Sequence, residues 1–80
     1  EWNEQKHQQW KQKMIDARNR KQDMIQNQRR QIKRLQNDIV GLIGERAIKE
    51  TEEEIAEKEE FIKELEADLE DIEKTLAEDK

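Results

Sequence analysis

Ile48, Thr51, Ile55, Lys58, Ile62, Leu65, Leu69, Ile72, Leu76 and Asp79 follow one another in strictly alternating steps of three and four residues. No other regularity in the chain restricts its fold so tightly. Side chains recurring every 3.5 residues keep to one stripe of an α-helix, and an apolar stripe of that kind is covered by a second helix wound against it. Alternate members of the stripe, 48, 55, 62, 69 and 76, are Ile, Ile, Ile, Leu and Leu. No strand-like period-two pattern competes. Glu, Lys, Gln, Arg, Ile and Leu abound, with no Pro and two Gly in 80 residues, which suits long helices.

A weaker version of the same stripe runs through the first half as His7, Trp10, Met14, Ala17, Lys21, Met24, Gln28, Ile32, Leu35, Ile39 and Leu42. Its one irregularity is a pair of four-residue steps across 24, 28 and 32, a stutter with Ile25 beside it. The expected core seam is therefore Trp10, Met14, Ala17, Met24, Ile32, Leu35 and Ile39 against Ile48, Ile55, Ile62, Leu65, Leu69, Ile72 and Leu76. Ile15, Ile25 and Phe61, with Met14, read as residual apolar surface available for further pairing. Only 16 of 80 residues are Ile, Leu, Val or Phe, a level at which disorder competes, so spacing rather than abundance carries the helical reading.

Charge decides how the two halves pair. Residues 1 to 40 hold ten Lys/Arg against five Asp/Glu, and residues 41 to 80 hold six against sixteen, giving nets of +5 and −10. In a parallel homodimer of the second half, Glu54 would face Glu59 and Asp68 would face Glu73 of the other copy, which repel. Antiparallel pairing of the basic half with the acidic half sets Trp10 level with Leu76, Met14 with Ile72, Ala17 with Leu69, Met24 with Ile62 and Leu35 with Thr51. It also sets Gln28 opposite Lys58 and His7 opposite Asp79, and predicts the ion pairs Arg18–Glu66 and Lys11–Glu73. Lys21 against Leu65 is the misfit.

The expected fold is thus an all-α antiparallel coiled coil. A hairpin with a basic helix over 2–40, a turn at 41–44 and an acidic helix over 45–79 has the same layers as an antiparallel homodimer of continuous helices, the two being domain-swapped versions of one another. The stretch "IVGLIGERAIKE" (39–50) discriminates between them. Gly41 and Gly44 each cost a helix interior about 1 kcal/mol relative to Ala but suit a helix end, which favours the hairpin. Leu42 and Ile43 are unusual at a loop tip and favour the continuous helix. Thr51-Glu-Glu-Glu54 also matches a capping box, allowing a late start to the second helix. A hairpin would be about 57 Å long and a continuous helix about 120 Å.

The inventory excludes most chemistry. The chain has no Cys or Ser, two Thr and one His, so no nucleophile, base and orienting group can be assembled and no enzyme is expected. Eighty residues leave little interior for a deep pocket. Lacking Cys, the chain forms no disulfide or thiolate metal site and fits a reducing, intracellular compartment. No apolar run approaches a membrane span, and a soluble chain with no membrane association is expected. It begins at Glu1 and stops at Asp79-Lys80 in mid-pattern, as a segment of something longer would.

Four features bear on binding. Glu4-Gln-Lys-His7 has the Glu-x-x-His spacing of di-iron bundles, but a single His leaves the set incomplete and a seam histidine is expected. The run "EEEIAEKEE" (52–60) has no loop to wrap round a cation and reads as a charged helix face. Neither metal nor cofactor is expected. Lys11, Lys13, Arg18, Arg20, Lys21, Arg29, Arg30, Lys33 and Arg34 could contact phosphates, although the attached acidic half and the lack of interleaved aromatics argue against nucleic acid. Trp2 and Trp10 near one end could anchor a neighbouring domain, Trp10 also serving as a wide seam residue.

The segment "IQNQRRQIKR" (25–34) partly resembles the IQ motif that docks calmodulin-like light chains, with Ile25, Gln26 and Arg30 matching. Gln31 stands where the motif has Gly, and the second basic residue, Arg34, comes one position early. The resemblance implies a light-chain docking helix as an alternative. The leading expectation is a structural protein–protein association module, a coiled-coil spacer or oligomerisation segment, with a second copy among its possible partners.

Overall fold

The computed structural model describes residues 4–79 and is a two-helix antiparallel hairpin. Helix α1 spans Glu4–Ile39 and α2 spans Glu45–Glu78. The molecule measures 64 × 15 × 15 Å, a slender rod two helices across. The shorter of the two expected lengths is the one adopted. Trp2, the start of the basic helix expected at residue 2, and Lys80 lie outside the described residues.

The turn occupies residues 40 to 44. Gly41 donates its N–H to the Asp38 carbonyl at 3.0 Å and Leu42 donates to Ile39 at 3.2 Å, tightening the last turn of α1. Gly44 precedes α2 with φ 105° and ψ 133°, a backbone region open essentially to glycine, and its carbonyl accepts the Ile48 N–H at 3.3 Å. Its role differs from that of Gly41. A Cβ on Gly41 would approach nothing closer than the Asp38 carbonyl oxygen at 3.7 Å, an ordinary contact, so only Gly44 is required as glycine by backbone geometry.

Helix α2 starts at Glu45, not at Thr51. The Thr51 hydroxyl donates back to the Ala47 carbonyl at 2.9 Å, as Thr does inside a helix, and the capping-box reading of residues 51 to 54 is corrected accordingly. The helix gains six residues that include Ala47 and Ile48, both partly buried. Their burial against the end of α1 outweighs the single cap a later start would provide.

The core is small. Ile25, Ile32, Ile62 and Leu65 are buried, and Ile55 and Leu69 pack against them. Trp10, Met14, Ala17, Leu35, Ile39, Ile48, Ile72 and Leu76 are partly buried along the same seam. Every expected seam residue thus lies on the inner stripe except Met24, which is 42% exposed, while Ile25 is only 4% exposed. Ile25 is accordingly a core residue, not residual surface. Counting back from Gln28, both 24 and 25 satisfy three-or-four spacing. Burying the stiff Ile sacrifices less side-chain entropy than burying the flexible Met.

This choice moves the two successive four-residue steps to Ala17, Lys21 and Ile25. The local slip falls on Lys21, whose stem lies over the seam while its ammonium reaches Asp68 at 3.0 Å. The expected clash of Lys21 with Leu65 is thereby avoided.

Candidate association surface

Two flanks border the seam, and each is lined by both helices. On one, Gln31, Arg34, Leu35, Glu54 and Lys58 surround an open hollow of 320 Å³. Lys58 donates to Gln31 there at 2.7 Å, one turn beyond the Gln28 expected opposite it. On the other flank, Gln22, Ile25, Gln26, Arg29, Glu66 and Leu69 line a smaller hollow of 180 Å³. Neither depression is closed or gathers catalytic groups.

The electrostatic pairing is of the expected kind but, His7 with Asp79 excepted, not between the expected residues. Lys21–Asp68 joins the helices near mid-length, and Lys11 lies 3.8 Å from Asp79 at the open end. His7 pairs with Asp79, as the sequence layers predict, and its ring stacks on Trp10 at 5.9 Å between centroids. Neither Arg18–Glu66 nor Lys11–Glu73 is among the ion pairs of the described residues, which corrects both. Arg18 Nε is instead buried without a hydrogen-bond partner, and Lys11 turns towards Asp79. The shift at Lys21 changes the register between the helices, so a count carried from one end misplaces side-chain heads. Exposed pairs are each worth about 1 kcal/mol or less, and small displacements suffice to redistribute them.

Much of the basic charge of α1 is exposed: Lys13, Arg20, Arg29, Arg30, Lys33 and Arg34 are all exposed and make no ion pair among the described residues. Ile25 and Ile32 of the IQ-like segment face the hairpin core. Among the described residues no group of three or more His, Asp or Glu could hold a metal ion, and no helix is long and apolar enough to cross a membrane.

Among the described residues, four large apolar side chains remain substantially exposed. Val40 (85%) and Ile43 (96%) project from the turn, while Met24 and Phe61 (36%) lie near the middle of the rod. Met24 is one heptad before Gln31, and Phe61 is one heptad after Glu54. Because Gln31 and Glu54 line one hollow, Met24 and Phe61 share its flank. The mid-rod patch and the tip are the exposed apolar surfaces among the described residues; by sequence Phe61 reads as residual apolar surface, and Met24 as seam. No protein-family model, curated protein or solved structure matches the chain.

Proposed function

We propose that the hairpin is a structural protein–protein association module, a helical spacer that pairs by seam burial with flanking charges setting orientation. The observation carrying this reading is a seam occupying nearly the whole length of both helices, from His7 and Asp79 to Ile39 and Ile48. Separate peptides covering 1–40 and 45–80 should form a heterodimer more stable than either homodimer, the preference weakening with salt because exposed charges set it. Equal self-association of the acidic peptide at low salt, measured by sedimentation, would remove the main support for charge-directed pairing.

A basic arm for nucleic acid is the second reading, favoured specifically by the unpaired cations of α1. Against it, those cations sit beside a helix of opposite charge and no aromatic residues interleave with them. Binding to a nonspecific duplex, titrated with salt, separates the readings: no binding at low salt is expected, whereas tight binding lost steeply as salt rises would favour the arm. The IQ-like alternative loses ground because its Ile25 is already covered by α2.

A further inference from the structure

Resting on the association reading, we infer that two hairpins pair side by side, with both turns at the same end and α1 of each lying on α2 of the other. The surface to be covered is the flank bearing Met24 and Phe61. The folded chain exposes 6667 Å². A compact monomer of 9.7 kDa exposes about 5,100 Å² by the usual mass scaling. The difference, about 1,500 Å², exceeds the roughly 800 Å² each partner contributes to a standard interface. A second copy can therefore be accommodated without unfolding either hairpin.

Charge selects the orientation. Along this flank α2 carries Glu54, Glu57, Glu64, Asp68 and Asp71 with no Lys or Arg among the corresponding positions. On α1 the flank is balanced, Lys13, Arg20 and Arg34 offsetting Asp16, Asp23 and Asp38. Laying α2 on α2 would oppose two acidic rows, a strongly repulsive arrangement. Laying α1 on the second copy's α2 removes that opposition and places Arg20 and Arg34 near the levels of Asp68 and Glu54.

For two copies facing through this flank, the symmetry operation that gives this pairing is a two-fold axis parallel to the rods. The consequences are independent of the charge argument that selected it. Met24 of each copy then lies about one helical turn from the level of the second copy's Phe61, because Lys21–Asp68 and Gln31–Lys58 set residue 24 level with residue 65. The same operation sets the two tips, with Val40 and Ile43 exposed on each, side by side. Both exposed apolar regions are thus brought together by one operator. The alternative two-fold, perpendicular to the rods, stacks α2 on α2 and sends the tips to opposite ends.

The chain has no Cys, so Asn37→Cys on the exposed face of α1 provides a unique spin-labelling site near the turn. Sedimentation should give the mass of two chains, and solution scattering a particle about as long as the 64 Å hairpin. Label-to-label distances should be about 20 to 35 Å from helix packing, against about 45 Å or more for rods of opposite direction. The paired substitutions Met24→Glu and Phe61→Glu should raise the dissociation constant at least tenfold while leaving the helical circular dichroism of the monomer intact. A monomer at about 100 μM, the longer label distance, or an extended particle would overturn the inference. Binding of the monomer to lipid vesicles through its tip would overturn it too, assigning that surface to another occupant. Failure of this dimer leaves the split-peptide heterodimer untouched; failure of both removes the association reading itself.

Discussion

Ile25→Ala should destabilise the hairpin by about 2 to 5 kcal/mol, while Met24→Ala, one residue away, should cost less than about 1 kcal/mol. The contrast follows from burial: Ile25 belongs to a core of four buried side chains, whereas Met24 stands on the flank. Removing three carbons from Ile25 opens a gap against Ile62 and Leu65 that two stiff helices cannot readily collapse. With so small a core, a loss of this size is expected to leave much of the population unfolded. Thermal or urea melts followed at 222 nm, at dilute concentration where chains remain single, measure it. Equal losses at the two positions would place the stutter where the spacing alone first suggests.

Gly44→Ala should convert a substantial fraction of the protein from the 64 Å hairpin to an extended, domain-swapped dimer about 120 Å long. Two effects act in one direction. An alanine at φ 105° strains the turn by about 1 to 3 kcal/mol, and the same residue stabilises a continuous helix by about 1 kcal/mol over glycine. Gly41→Ala is the control: its Cβ meets no close atom, and its backbone lies outside the positive-φ region, so only the helix-propensity part applies. Scattering for length and sedimentation for mass distinguish the outcomes. A Gly44→Ala protein with the parent's length and melting temperature would show that the turn is held by packing and not by its glycine.

The apolar spacing of 48 to 79 was enough to place every partly buried position of that stripe, because a strict three-four alternation leaves one helix face and no choice of register within the helix. Charge was similarly legible at the level of halves: a net +5 segment and a net −10 segment favour each other over themselves. Individual side-chain partners, His7 with Asp79 excepted, were not. Lys11 reaches Asp79 instead of Glu73, and Lys58 reaches Gln31 instead of Gln28, since long side chains choose partners after the local register is set. The IQ-like string, Ile25 to Arg34, similarly acquires another reading once its Ile is buried.

What the sequence determined alone is a pair of antiparallel helical stripes meeting at a glycine-bearing stretch, and the structure breaks the helix there. Tertiary structure decided between residues that spacing treats as equal. Met24 and Ile25 both fit the stutter, and packing against Ile62 and Leu65 buried the one with less side-chain freedom to lose. Gly41 and Gly44 both interrupt the pattern, and closure of the turn gave a positive φ to Gly44 alone. Thr51 could begin a helix or continue one, and burial of Ala47 and Ile48 continued it back to Glu45. In each case local rules permit two answers of similar free energy, and the contact that separates them is made only when the second helix is in place.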